Sequence, residues 1–181
     1  MLSSTHGWED PPEPYLSRWI VADLARDRWQ LAAYYALRRA VFVREQHMFA
    51  DTDIDEYDTH ALHLVAMAAQ AGVLHEVVGV VRIYEQAGVW FGGRLAVVPQ
   101  YRRCREVGSA LTREAVGAAR ALGASRFLAT VQHDNVRFFE RQHFVTRGPL
   151  SLCGRPHQLM EADLSAFATP AWARELARRV A

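Results

Sequence analysis

The stretch RLAVVPQYRRCREVGSAL, Arg94 to Leu111, constrains this chain more than any other. Its apolar run to Val98 reads as a buried strand, and Pro99, which cannot donate to a sheet ladder, must end it. An arginine-rich turn, Arg102 to Gly108, follows, and a helix begins there. The first N–H groups of a helix have no internal partner, and the helix dipole favours anions beside them. Strand, basic turn and helix start in that order predict a site for a phosphorylated ligand.

The 181 residues suit one domain with a real core. A formal charge of +1 and 50% hydrophobic residues argue against bulk-electrostatic nucleic-acid binding and against a disordered chain. All 21 positive side chains are Arg, which excludes a lysine nucleophile or Schiff base. Cys104 and Cys153 alone make no metal site or disulfide framework. The polar start has no signal-peptide run, and no segment reaches membrane-spanning length. A cytoplasmic protein is expected.

Residues 1–17 read as an irregular arm and 18–181 as the domain. Arg18–Leu24 has the apolar density of a strand. Asp27 can cap a helix over Arg28–Gln46, whose buried stripe is Leu31, Tyr34, Tyr35, Arg38, Val41 and Phe42. An acidic loop, Asp51–Asp58, comes next. Ala61–Ala69 and Glu76–Glu85, joined around Gly72, and Val89–Val98 form an antiparallel meander in which Gly92 and Gly93 mark a bulge or a close backbone approach. Val107–Leu122 is a helix ended by Gly123. Arg126–Gln132 is a strand parallel to its predecessor across that helix. A helix from His133 or Asp134 to Gln142, a hairpin of Phe144–Arg147 and His157–Leu164 around SLCGRP, and a helix over Pro170–Val180 complete the chain. The predicted class is α/β (α+β): a mixed, mostly antiparallel sheet with a central parallel pair, flanked by helices.

With Val98, Pro99, Tyr101, Arg102, Gly108, Leu111, Asn135, Phe138, Glu140 and Phe144 at matching positions, the chain after residue 18 resembles the GNAT superfamily of acyl-CoA-dependent N-acetyltransferases. The resemblance implies acetyl-CoA as co-substrate. Leu95, Ala96, Val97 and Val98 would pair with the pantetheine arm, and an N–H near Val98 would polarise the thioester carbonyl. The amides of Arg103, Cys104, Arg105, Glu106, Val107, Gly108 and Ser109 would hold the pyrophosphate, with Asn135 and Phe138 at the next helix. Three departures stand out. Arg105 and Glu106 occupy ground the family gives to glycine, Phe139 replaces a Tyr that protonates the thiolate, and His143 replaces a Gly.

Arg38, Phe42, Asp55, Asp58, Arg82 and Arg94 also match acyl-homoserine-lactone synthases, which share the fold, although Phe91 stands where their catalytic Glu belongs. Across its length the chain is similar to a bacterial GNAT subfamily encoded beside a nitrilase. The expected reaction is acetyl transfer to a small, cationic amine by direct attack in a ternary complex. The alternatives are lactone-synthase-like acyl transfer and a non-catalytic acyl-CoA sensor. Partners are acyl-CoA and a small-molecule amine, with a homodimer left open and neither nucleic acid nor membrane involved.

Attack by an amine needs a general base. Glu45, Asp55, Glu56, Asp58, His60 and His63 gather where the first helix meets the second strand. Glu45, Asp55 and His63 are the candidates for this role, and Asp55 and Asp58 would attract a cation. The competing readings are a solvated acidic loop, a Glu45 salt bridge to Arg82 or Arg94, and a structural histidine. His157, in GRPHQLM, is a further candidate facing the acceptor. No metal is expected: DTDID lacks glycine at the sixth place of a calcium loop and has Leu62 at the bidentate position.

Overall fold

Apolar alternation along sequential runs favours a meander, and the computed structural model, which describes residues 19–70, 73–103 and 105–180, contains it. The arm of residues 1–17, the turn around Gly72 and Cys104 lie outside the described residues. β1 (Trp19–Leu24), β2 (Leu62–Gln70), β3 (Val73–Gln86) and β4 (Val89–Val97) pair antiparallel in sequence order. β5 (Phe127–Gln132) joins β4 in parallel. With β6 (Phe144–Leu152) and β7 (Arg155–Ala162) the sheet has seven strands in the order β1-β2-β3-β4-β5-β7-β6. This is the mixed α/β sheet with one central parallel pair that the sequence predicts.

Helices cover both faces. In β2, Leu64, Ala66 and Ala68 pack toward α2 (Glu106–Ala121), while Val65 and Met67 pack toward α1 (Arg28–Arg38), as the two-residue period of a strand requires. Among the described residues no helix is long and apolar enough to cross a membrane. Gly79 of β3 brings the start of α2 close to the sheet: a Cβ there would lie 2.5 Å from Val107 Cγ1 and 2.9 Å from Leu111 Cδ1.

Several boundaries differ from expectation. The first helix is α-helical only to Arg38 and widens into a π-helical segment, Arg39–Glu45. Within it the consecutive residues Val41, Phe42 and Val43 are all buried. β6 runs on to Leu152 because the hairpin turns in two residues, Cys153 and Gly154, both with positive φ. Its Pro149 is tolerated because β6 is an edge strand. The helix expected from Asp134 shortens to α3 (Val136–Glu140), preceded by a 3-10 turn over His133–Asn135. α4 (Ala171–Val180) follows as predicted. His143 has φ +61°, the conformation for which glycine is the usual residue.

The feature that positions the site is the short length of the parallel pairing. β4 and β5 are in register only from Trp90, Phe91 and Gly92 to Phe127, Leu128 and Ala129. Gly92 permits the approach, since a Cβ would fall 2.7 Å from the Phe127 ring. One residue past the expected glycine bulge, Arg94 takes φ +56° and the β3–β4 register shifts. The added bend turns β4 away from β5 and leaves a split that runs toward the start of α2.

Candidate active site

The β4 backbone offers hydrogen-bonding groups to this split. Val98 donates its N–H to Val78 O at 3.0 Å, and Val97 pairs with Gly79. Antiparallel residues alternate between facing the partner strand and facing away, so the Val97 N–H and C=O point away from β3, the C=O with one of its two acceptor positions taken by Arg102 Nε. Leu95, two residues back, lies on the same side. This corrects the expectation for Val98: its amide is spent on β3, and the amides available to a ligand are one register step earlier.

At the far end of the split, α2 begins at Glu106, and Ser109 N–H already bonds Arg105 O at 3.0 Å. The Ser109 amide is therefore not available to an anion, which leaves Glu106, Val107 and Gly108 as the first-turn donors. Glu106 is exposed. Gly108 lies under Phe138, whose Cζ would be 3.1 Å from a Cβ at that position.

Two open pockets adjoin along the split. The second runs past Val97, Tyr101, Arg102, Arg105, Gly108 and Phe138, and has the shape of a groove leading to the helix start. The first is flanked by Phe42, Met48, Phe49, Arg94, Leu152 and His157. Leu95, Gln132, Asn135 and Phe139 belong to both and form the junction.

The candidate bases do not converge on that junction. Glu45 is held by Arg102, not by Arg82 or Arg94, through two contacts of 2.6 Å, and this pairing lowers its pKa. Arg102 also donates to Val97 O at 2.9 Å. His63 sits away from both pockets, bonded to Tyr35 Oη at 3.2 Å and packed on Tyr34. Burial lowers its pKa, and among the described residues its Nδ1 has no hydrogen-bond partner. His60 and Glu56 are exposed.

The acidic loop is not solvated. Arg38, wholly buried, spends all five N–H donors on Asp53, Asp58 and Tyr34: Nε to Asp53 Oδ2, Nη1 to Tyr34 Oη and Asp58 Oδ1, and Nη2 to Asp53 O and Asp58 Oδ2. Arg82 grips Asp55 with both terminal nitrogens, at 2.5 and 2.9 Å, and reaches Asp58 at 2.7 Å. Arg94 bonds Asp53 O and, at 3.1 Å, Asp55 Oδ2. Burial alone would raise the Asp55 and Asp58 pKa values, but bonds and charges from these arginines hold both below the usual carboxylate range. Three guanidinium groups thus neutralise three carboxylates. Asp55 is a weak base here, and the expected attraction for a cation is cancelled at its source.

His157 is placed differently. It lies on β7 opposite Gln132 of β5, is 2% exposed and lines the first pocket. Its Nδ1 is 2.9 Å from Arg155 O. A carbonyl can only accept, so Nδ1 carries a proton, and in the neutral ring Nε2 is the nitrogen with the lone pair. A polar residue at a buried strand position was the sequence signal for it. Gln132, at the junction, gave no such signal.

A profile described as the acetyltransferase (GNAT) family matches residues 20–144. The chain is 27% identical over 144 residues to the uncharacterized N-acetyltransferase YjcF of Bacillus subtilis, covering 78% of this chain and 99% of that one. In fold it is similar to Escherichia coli ElaA, with a TM-score of 0.67 and 22% identity over 80% of this chain and all of that one (100%). It is likewise similar to BjaI, a CoA-dependent acyl-homoserine lactone synthase solved with SAM and isopentyl-CoA, with a TM-score of 0.62 and 17% identity over 89% of this chain and 88% of that one. With the profile match spanning β1 to β5, the split and α2, the chain belongs to the GNAT acetyltransferase family.

Proposed function

We propose that this acyltransferase moves acetyl from acetyl-CoA to the nitrogen of a small amine by direct attack in a ternary complex. The observation that carries the reading is the split between β4 and β5, open along Leu95–Val97, which ends at the start of α2. Leu95 and Val97 pair with the extended pantetheine arm, and Leu95 N–H takes the oxyanion role first assigned to Val98. The first-turn amides Glu106 to Gly108, with Arg103 and Arg105, hold the pyrophosphate. Asn135 and Phe138 hold the arm from the α3 side.

His157 Nε2 accepts the proton of the attacking amine. The new C–N bond forms on the carbonyl carbon, and the C–S bond breaks as the tetrahedral centre collapses. Phe139 has no proton to give, so the sulfur leaves as thiolate, which a thiol pKa of about 8.5 allows. Glu45 and His63 serve as structural groups in this scheme, and Asp55 anchors the loop.

Calorimetric titration followed by a thiol-release assay across an amine panel tests the reading. Acetyl-CoA is expected to bind, and thiol release is expected to depend on the amine. Binding with no turnover on any amine would favour the sensor alternative, and no binding at millimolar ligand would end both. Likeness to BjaI keeps acyl transfer to an S-adenosylmethionine-like acceptor as a second reading. Against it, Phe91 stacks on Tyr84 and supplies no base.

A further inference from the structure

The acceptor end of the first pocket has a definite charge character. Among the described residues that line it there is no Asp or Glu, and apart from His157 its one ionisable side chain is Arg94. Phe42, Met48, Phe49 and Leu152 contribute apolar surface to the same pocket. The three arginines of the buried network also differ in what they have left to donate. Arg38 has spent every N–H. The unspent nitrogen of Arg82, Nε, is sealed from solvent. Arg94 uses Nε and Nη2 on Asp53 and Asp55, and among the described residues its Nη1 makes no hydrogen bond. Its side chain is 15% exposed, and its guanidinium carbon lies 4.7 Å from the Phe49 ring centroid.

A guanidinium held from behind by two aspartates, with one nitrogen unspent, is a fixed anion receptor. Holding it in place costs a ligand no side-chain entropy, and a carboxylate is a natural partner for an arginine N–H. We propose that the acceptor is an amine that carries a carboxylate and an apolar body, the class of the apolar amino acids. Arg94 takes the carboxylate, Phe42, Met48, Phe49 and Leu152 take the apolar part, and the amine faces His157. This rests on the acyltransferase reading above and replaces a cationic acceptor with a zwitterionic one. Arg94 is then a residue that selects the substrate, while its partners Asp53 and Asp55 position it.

The test uses product analogues on the wild-type chain with CoA present. N-acetylphenylalanine, N-acetylleucine and N-acetyl-6-aminohexanoate are each titrated beside their carboxamides, with N-acetylspermidine as the cationic comparison. In at least one pair the acid is expected to bind 10-fold or more tighter than its amide, and tighter than the polyamine. Arg94→Gln is expected to erase that preference and leave CoA affinity within about twofold. Should that variant fail to fold, the acid–amide comparison on the wild-type chain still decides. Acids that bind no better than their amides in every pair, or a tighter polyamine, would overturn the proposal. CoA binding, measured first and alone, separates the two failures. If CoA binds and no acid is preferred, only the acceptor class is wrong. If CoA does not bind, the acyltransferase reading itself fails.

Discussion

Replacing Arg38 with Met is expected to lower the melting temperature by roughly 10 °C. The substitution keeps most of the buried volume and removes the charge that Asp53 and Asp58 face. Breaking a buried ion pair from one side costs about 3–5 kcal/mol, because the abandoned carboxylates stay buried. In a domain of this size each kcal/mol is worth about 2–4 °C. Glu45→Gln is the control: its pair with Arg102 is exposed, so the melting temperature should move by no more than about 2 °C. Acid should act on the same network. The Asp55 and Asp58 carboxyls are held below their ordinary value of 3.8, so the stability they contribute is present above that pH and is lost as pH falls through their lowered values. Thermal melts from pH 7 down to pH 2 check this, with Arg38→Met expected to show a shallower acid loss than the wild type.

His157→Gln should leave the fold and CoA affinity nearly unchanged and cut kcat by about 100-fold or more, the usual contribution of a positioned general base. Gln can still satisfy the neighbouring carbonyl, but it cannot hold a proton taken from the amine. The acidic limb of the pH–rate profile should disappear with it, which a merely structural role would not produce. Single-turnover rates with saturating amine, measured across pH, distinguish these outcomes. A variant with the wild-type profile would remove His157 from the chemistry. Glu45 or Asp55 would be poor replacements, since arginines hold both below the ordinary carboxylate range.

Much of the fold was legible because it rests on local rules. Pro99 ends β4, Gly92 allows the approach to Phe127, and alternation in β2 assigns a helix to each face. The strand and the helix that frame the candidate site were legible as elements, but the register of the strand was not. Whether Val97 or Val98 faces the split depends on a bulge at Arg94, a non-glycine residue with positive φ, while the adjacent glycines drew the expectation one place too early. The acidic loop misled for another reason. Its charges are visible in the sequence, but their partners come from α1, β3 and β4, with Asp58 bonded to residues 20 and 24 positions away and Asp55 reached by Arg94 from 39 away. Charge composition could not distinguish a neutralised network from a cation site. His63 and His157 show the same limit: both are histidines on strands, and only sheet order shows that one faces α1 and the other the first pocket.

Amide hydrogen exchange of β4 with and without CoA tests the central claim most directly. CoA should protect the Leu95 and Val97 amides, which face the split, together with the first-turn amides of α2. The Val98 amide, already bonded to β3, should not change. Binding of CoA with no added protection at Leu95 or Val97 would contradict the assignment of the split as the cofactor site.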